Sequence, residues 1–368
     1  MQFWIFNCLF VFLLCVFFAG IVIPQILLVA FRNRLFDVPD ERKIHRGAVP
    51  RLGGIAFTPV KSFVLMLLLG VNMLLDVQNV YVEFEKDLQG LSFVYCSLML
   101  LYLLGMADDL VGVQYKAKFF AQVLCGVMLV AGGIWLDSLH GVLWIHEVPR
   151  WIGYPLTVLL TVFIINAVNL IDGIDGLASG LSGIACLFYG VFFFILQNYV
   201  YALLAFATLG VLVPFHYYNV WGDPLKRRKI FMGDTGSLTI GLMLSVLSIK
   251  LVTCVPEDAS EINTIILAFS PLLVPGFDVV RVYFHRVRNG KNPFLPDKNH
   301  IHHRMLAVGM TQRTAMVTIV FLSMLFIVCN VLLSKRVSVT FLFLWDVLLW
   351  IAVNMWLTHK IGQKNKKL

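Results

Sequence analysis

Residues 156–187 read LTVLLTVFIINAVNLIDGIDGLASGLSGIACL: two apolar runs joined by a short segment that holds two aspartates and two glycines. The full runs extend over about 152–170 and 177–197, so each approaches the ~20 residues that an α-helix needs to cross a bilayer. A helix satisfies its backbone hydrogen bonds within one segment, as lipid requires. This stretch therefore predicts two transmembrane helices with carboxylates at their junction.

The composition extends this prediction to the whole chain of 368 residues. Hydrophobic residues make up 59% and charged residues only 14%, which is too few to cover the core of a soluble protein. We expect an all-α, polytopic integral membrane protein with a single domain over 1–368, and no nucleic-acid partner. The apolar runs predict about eleven spans, near 3–31, 53–75, 91–107, 117–134, 152–170, 177–197, 200–217, 237–253, 263–284, 314–333 and 338–358.

The Lys and Arg residues lie mainly in alternate breaks between these spans. The basic breaks are 32–51, 116–118, 226–229, 281–313 and the C-terminal 360–367. The intervening breaks hold only Lys86, Arg150, Lys335 and Arg336. Because cytoplasmic loops carry the excess of cations, the N-terminus is predicted outside and the C-terminus in the cytoplasm.

The conspicuous polar residues all fall at the basic ends of the spans. A carboxylate at the bilayer centre costs ~2.5–3.5 kcal/mol, so five of them are expected at the interface or in a wet cavity, around a cation or a ligand. A transporter also uses such groups, but it needs them at the midplane with access from both faces, and the outer breaks show no comparable cluster. The residues are Asp108, Asp109, Asn166, Asn169, Asp172, Asp175, Asn219, Asp234, His300, His302 and His303.

The segment from Asn166 to Asp175 carries a polar residue at every third position. On a helix, Asn169, Asp172 and Asp175 would share a broad face. Gly173 and Gly176 permit close backbone approach to a ligand or a neighbouring helix. A polar packing seam is the alternative, but such seams normally use Ser or Thr. The pattern favours a functional site.

Two further acidic motifs are compatible with a metal. Asp108 and Asp109 are adjacent at the end of a span, where they either share a cation or form a solvated helix end. Phe231-Met-Gly-Asp234-Thr-Gly-Ser237 opens another span, so its free N–H groups suit an anion and Asp234 suits a hard cation. Simple helix capping by Asp234 is the alternative.

The loop after the ninth predicted span holds three histidines in Asn299-His300-Ile-His302-His303. Zinc binding is one reading, but no cysteine is near and His302 would leave the face shared by the other two. A phosphate-binding role beside Arg281 fits the local positive charge better, and membrane-surface binding remains a third reading. Lys61, inside the second span, has no assigned role, and snorkelling to the interface is one explanation.

Taken together and in this order, the motifs resemble those of the polyprenyl-phosphate N-acetylhexosamine-1-phosphate transferases. These membrane enzymes move a sugar phosphate from a UDP-sugar to a lipid phosphate and release UMP. The resemblance extends from about 37 to 306. Ala48-Val-Pro-Arg-Leu-Gly-Gly54 differs from the corresponding run of the muramoyl-pentapeptide branch, so the chain is more similar to the N-acetylglucosamine-1-phosphate type.

The resemblance implies a role for each motif. Asp234 would be the main Mg²⁺ ligand with Asp172 as a second, and Phe231 would contact uracil. Asp108 and Asp109 would lie near the metal or the lipid phosphate, and Lys116 and Lys118 near that phosphate. The nucleotide and diphosphate would be held by Asn166, Asn169, Asp172, Asp175 and Asn219, and the sugar or diphosphate would meet Arg281, His300, His302 and His303.

The resemblance also implies the partners and the cellular location. The expected substrates are UDP-N-acetylhexosamine, most simply UDP-N-acetylglucosamine, and undecaprenyl phosphate, with Mg²⁺ as the cofactor and Mn²⁺ as a substitute. The expected location is the bacterial inner membrane, with the site facing the cytoplasm and the product starting a cell-surface glycan such as O-antigen. A homodimer is a further expectation. A proton- or cation-coupled transporter is the rival function.

Overall fold

The computed structural model describes residues 1–36, 49–75, 77, 79–255, 263–290 and 299–365. The described chain is almost entirely helical, as the composition predicted. Its α-helices are α1 Gln2–Arg32, α2 Phe57–Leu74, α3 Asn79–Lys86, α4 Leu88–Val111, α5 Tyr115–Ala131, α6 Arg150–Ile171, α7 Leu177–Ile195, α8 Tyr199–Val220, α9 Gly233–Thr253, α10 Thr264–Phe269, α11 Leu273–Arg288, α12 Ile301–Val308, α13 Gln312–Leu333 and α14 Val339–Asn365. The strands β1 Ser138–Val142 and β2 Ile145–Glu147 form one antiparallel hairpin that was not predicted.

Within the described residues, ten helical segments are long and apolar enough to cross a membrane. One of them joins α10 and α11 through the 3₁₀ turn Ser270–Leu272. The predicted span at 117–134 corresponds to α5, which has 17 residues and is therefore about 26 Å long. That length falls short of a ~30 Å hydrocarbon core, which explains why ten rather than eleven spans meet the length requirement. The all-α polytopic fold is confirmed, and the orientation of the termini stays a prediction.

Helix α9 lies at the centre of the bundle. Nearly all of its side chains from Thr235 to Val252 are buried. Glycines allow its neighbours to approach closely: a Cβ on Gly105 of α4 would lie 2.5 Å from the Cα of Thr235, and one on Gly241 of α9 would lie 2.7 Å from the Cα of Ile165 in α6. Backbone contacts of this kind hold helices together where lipid supplies no hydrophobic driving force. They also bring the polar ends of α4, α6 and α9 together.

The segment before α2 pairs with the segment before α9. The Phe231 N–H donates to the Pro50 carbonyl (2.9 Å), and the N–H groups of Gly53 and Gly54 donate to the carbonyls of Phe231 and Met232 (2.9 and 2.8 Å). A Cβ on Gly54 would lie 2.1 Å from the backbone nitrogen of Gly236, so the two backbones touch. This pairing fixes the start of α9 against the loop that carries Arg51.

The predicted orientation can be tested with C-terminal reporter fusions. Lys226 lies in the segment between α8 and α9, at the end of the bundle that carries the aspartates, and Leu139 lies in the hairpin between α5 and α6. We expect a reporter fused after Lys226 to be active in the cytoplasm and one fused after Leu139 to be active outside it, because the Lys and Arg excess favours the cytoplasmic side. The opposite pair of signals would reverse the topology.

Candidate active site

Acidic and amide side chains from α4, the α6–α7 turn and the start of α9 meet at one end of the bundle. Lys118 of α5 connects two of these elements, because its Nζ donates to Asp108 Oδ2 at 3.0 Å and to Asp234 Oδ2 at 2.7 Å. The other oxygen of Asp108 accepts the Val113 N–H at 2.6 Å. The site therefore has a lysine ammonium between two carboxylates that are 126 residues apart in sequence. The structure thus brings together three residues that the sequence assigned to one site.

Asp109 has a different environment from its neighbour Asp108. Its Oδ1 accepts the N–H of Asp234 at 2.8 Å, and its Oδ2 accepts the N–H and hydroxyl of Thr235 at 2.9 and 2.6 Å. A carboxylate at this place stabilises α9 through both hydrogen bonds and the positive end of the helix dipole. The sequence predicted that these N–H groups are free for an anion, and this is wrong for Asp234 and Thr235, because their N–H groups donate to Asp109. Asp109 belongs to the same cluster as Asp108 and Asp234, as predicted, but both its oxygens are used within the protein.

The Asn166–Asp175 motif does not form one helical face. Helix α6 ends at Ile171, and Asp172 and Asp175 lie in the turn before α7. Asn169 is directed to the site, because its Nδ2 donates to Asp234 Oδ1 (3.1 Å) and Ser237 Oγ (2.8 Å). Asn166, one turn earlier, donates instead to Gln122 Oε1 of α5 at 2.6 Å. Polar residues three positions apart therefore contact different helices: Asn166 contacts α5, and Asn169 contacts the start of α9.

Asp172 is exposed to solvent on one side, and protein atoms surround it on the other sides. This desolvation, followed by the negative charges of Asp234 and Asp175, raises the pKa of Asp172 to about 7, and Arg51 acts in the opposite direction. Asp175 is held by Lys229, whose Nζ lies 2.5 Å from Asp175 Oδ2. The turn therefore places one carboxylate in a field with an excess of negative charge.

The other predicted substrate-binding residues have mixed surroundings. Asn219 joins two segments, since its Oδ1 accepts the Gly176 N–H at 2.6 Å and its Nδ2 donates to the Ile230 carbonyl at 2.8 Å. Phe231 is partly buried beside Gly53 in the paired segments. Lys116 is exposed at the start of α5. Asn219 thus supports the segments around the site, and Lys116 is accessible from outside. The predicted roles of these residues in substrate binding stay predictions.

Residues 299–303, the histidine loop, comprise the residues just before α12 and the start of that helix, which holds His302 and His303. A Cβ on Gly173 would lie 2.1 Å from Nε2 of His302, so this ring packs directly on the Asp172–Asp175 turn. His302 is only 1% exposed, and burial, together with the positive charge that His303 can carry, lowers the pKa of His302 to about 3. His302 is therefore a neutral packing partner of the turn, whereas His303 is partly exposed with its ring centroid 4.3 Å away.

His300 and Arg281 are both bound to Asp278. The His300 Nδ1 lies 2.8 Å from Asp278 Oδ2, and Arg281 Nη2 donates to Asp278 Oδ1 at 3.0 Å. Asp278 was missed in the sequence analysis, as were Lys229 and Arg51. A lone aspartate inside the predicted span 263–284 was a usable signal for Asp278, and proximity to the Phe231 motif was one for Lys229.

The donor set suits a hard cation. Among the described residues, no three Asp, Glu, His or Cys side chains are already arranged to hold a metal ion between them. The charge pattern nevertheless favours one, because five carboxylates meet here and outnumber the cations that pair with or face them. The carboxylates are Asp108, Asp109, Asp172, Asp175 and Asp234, and the cations are Lys118, Lys229 and Arg51. Carboxylate oxygens of this kind are the preferred ligands of Mg²⁺. The residues present therefore fit the predicted ion.

Comparison with known proteins supports a common family. The signature of glycosyl transferase family 4 matches residues 91–252, which include the clustered aspartates. A Bacillus subtilis protein named probable undecaprenyl-phosphate N-acetylglucosaminyl 1-phosphate transferase is 29% identical over 352 residues, 94% of this chain and 90% of that protein. The Yersinia pestis undecaprenyl-phosphate alpha-N-acetylglucosaminyl 1-phosphate transferase is 30% identical, covering 79% of this chain and 74% of its own. The Mycolicibacterium smegmatis decaprenyl-phosphate N-acetylglucosaminephosphotransferase is 32% identical, with 79% and 73% covered. The resemblance seen in the motifs is confirmed.

Proposed function

We propose that this chain, which belongs to glycosyl transferase family 4 and is a glycosyl-1-phosphate transferase, transfers N-acetylglucosamine 1-phosphate to undecaprenyl phosphate. The donor would be a UDP-sugar, and UMP would be released. The observation that carries the proposal is the meeting of Asp108, Lys118, Asn169, Asp172 and Asp234 at one end of the bundle. Phosphoryl transfer depends mainly on positioning and charge neutralisation, and this set supplies both. The product would be the lipid-linked first sugar of a cell-surface glycan.

The acceptor half of the proposal rests on the start of α5. Tyr115, Phe119 and Phe120 expose 71%, 55% and 70% of their surface there, and Lys116 is exposed among them. Aromatic rings beside a lysine are typical of the membrane interface. A lipid phosphate held at this depth would have its chain in the bilayer and its head group within reach of Lys116 and Lys118. Two of the relatives carry different prenyl lengths in their names, so this length needs its own measurement.

We also propose Mg²⁺ as the cofactor, with Mn²⁺ as a substitute. Asp234 and Asp172 would hold it, because they contribute oxygens to the region of excess negative charge. When bound, such an ion neutralises charge on the diphosphate. The residues of the chain itself orient Asp234: Asn169 donates to one of its oxygens, and Lys118 donates to the other.

Direct attack by the lipid phosphate is the simpler mechanism. A phosphate monoester is mostly a dianion at neutral pH, so it needs no strong base. A covalent phosphosugar on Asp108 or Asp109 would require a carboxylate oxygen that now accepts a hydrogen bond. Asp108 accepts from the Val113 N–H and from Lys118, and Asp109 accepts from the start of α9. In direct displacement, the acceptor oxygen bonds to the sugar-linked phosphorus while the bond from that phosphorus to the UMP oxygen breaks, and UMP leaves with those electrons.

Isotope exchange separates direct displacement from a covalent route. Enzyme, Mg²⁺, UDP-N-acetylglucosamine and labelled UMP are incubated without polyprenyl phosphate. We expect no label in the UDP-sugar. Without the lipid acceptor, only a covalent enzyme intermediate would allow labelled UMP to exchange into the UDP-sugar. Label that enters the UDP-sugar at a rate near turnover would contradict direct displacement.

The proposed activity is tested with detergent-purified protein, undecaprenyl phosphate and a panel of UDP-sugars. We expect UMP release that requires the lipid phosphate and is fastest with UDP-N-acetylglucosamine. Decaprenyl phosphate in a parallel series measures the dependence on prenyl length. If UMP is released only with another UDP-hexosamine, the proposed donor is wrong. If no UDP-sugar gives release, the proposal is wrong and uptake assays in vesicles would address the transporter alternative.

A further inference from the structure

Asp278 is a carboxylate inside a membrane-spanning helix, and its side chain is completely buried. Its oxygens accept hydrogen bonds from three groups: the His300 ring at 2.8 Å, the Ile301 N–H at 2.9 Å and the Arg281 guanidinium at 3.0 Å. A buried charge in a membrane protein is costly unless it is paired, and such residues usually serve function. Here all three donors belong to the histidine loop or to the arginine that contacts it.

The groups bound to Asp278 lead directly to the site. The Arg281 Nη2 also donates to the carbonyl of Asn299, the residue before His300. The rings of His300 and His302 are nearly parallel, with an angle of 4° and centroids 5.8 Å apart. His302 in turn packs on Gly173, between Asp172 and Asp175. One carboxylate in α11 therefore holds the loop that contacts the acidic turn.

We propose that Asp278 is a positioning residue for the transfer reaction and acts through His300. It fixes the Nδ1 hydrogen of His300 on the side of α11 and binds the first N–H of α12, so that the histidine loop keeps its place against the Asp172–Asp175 turn. The proposal rests on the proposed function for its kinetic test, and its structural part can be measured without activity.

The kinetic test is a double-mutant cycle with Asp278→Asn and His300→Ala. Asparagine keeps the size and one acceptor oxygen, but its amide cannot satisfy the His300 Nδ1–H in the same way. We expect kcat to fall about 10- to 100-fold with less change in KM for the UDP-sugar, as for partners that orient a functional group through a second residue. In the His300→Ala background the same change should have little further effect, because the residue through which Asp278 acts is already absent.

A matched control is Asp346→Asn. Asp346 is also a fully buried carboxylate in a membrane-spanning helix, α14, where it accepts the Asn330 Nδ2 at 2.9 Å. Per folded molecule, this variant should keep the wild-type kcat. Equal losses from Asp278→Asn with and without His300, or an unchanged kcat, would overturn the proposal.

Amide hydrogen exchange provides the readout that does not depend on activity. In Asp278→Asn, exchange of the peptide that contains the Ile301 amide should become about five- to tenfold faster, because a hydrogen bond to a charged acceptor is replaced by one to a neutral acceptor. The Asp346→Asn protein should show no change in this peptide. Unchanged exchange in Asp278→Asn would refute the positioning role even if the wild-type protein released no UMP, an outcome that would separately refute the proposed function.

Discussion

Replacement of Asp234 by asparagine is expected to lower turnover about 10²- to 10³-fold in a protein that still folds in the membrane. The carboxylate accepts hydrogen bonds from Lys118 at 2.7 Å and from Asn169 at 3.1 Å. An amide cannot accept on both sides, and it is a poorer partner for a hard dication. Losses of this size are typical when one preorganised electrostatic group is removed from an active site. The initial rate of UMP release over a Mg²⁺ titration measures the effect.

Asp223→Asn is the matched control for this prediction. Asp223 lies on the same segment between α8 and α9, where its Oδ1 accepts the Leu225 N–H at 2.9 Å and closes a local turn. It should release UMP at the wild-type rate. Wild-type turnover in Asp234→Asn, or undiminished turnover of the unmodified protein in excess EDTA, would remove the basis for the metal assignment.

Gly54→Ala is expected to lower both the stability of the fold and the rate of UMP release, because the added methyl group has no room. The added Cβ would lie 2.1 Å from the nitrogen and 2.2 Å from the Cα of Gly236, and backbone atoms cannot move aside as the end of a side chain can. Overpacking in a close-packed core costs about 1–3 kcal/mol, occasionally more. The shift would also move the start of α9 with Asp234. We expect a lower apparent Tm and at least about tenfold slower UMP release.

Gly70→Ala in α2 is the control, because nothing lies within 4 Å of a Cβ at that position. A helical Gly-to-Ala change in open space is expected to be neutral or slightly stabilising. Thermal unfolding in detergent and UMP release are measured for both variants. Matching values for the two would show that the segments before α2 and α9 are not in backbone contact.

The spans and the location of the site were predictable because each depends on a local pattern. Apolar runs near 20 residues in length predict helices without knowledge of their neighbours. The concentration of aspartates at the basic ends likewise indicated one end of the bundle. Asp108, Asn169 and Asp234 meet there, as expected.

Roles that depend on contacts between distant segments were not predictable in the same way. Asp109 and Asp108 are adjacent in sequence, yet only the packing of α4 on α9 makes Asp109 the cap of that helix. The arrangement of Asn166 and Asn169 toward different neighbours has the same origin. Snorkelling, the one explanation suggested for Lys61, is wrong: its side chain is 3% exposed, and its Nζ has no hydrogen-bond partner among the described residues. We have no physical account of that lysine.

The ammonium of Lys118 between Asp108 and Asp234 acts as a tethered counter-ion. A dissolved cation binds or dissociates according to its concentration, whereas the Lys118 ammonium is part of the chain and remains beside the two carboxylates. Proteins whose structural metal is their sole source of neutralisation unfold when a chelator is added. In this protein, Lys118 offsets part of the mutual repulsion of the two aspartates whether or not a metal ion is bound. Under the proposed function, starvation for Mg²⁺ would therefore inhibit the transfer reaction reversibly, and activity would return when the ion is restored, without new synthesis of the enzyme.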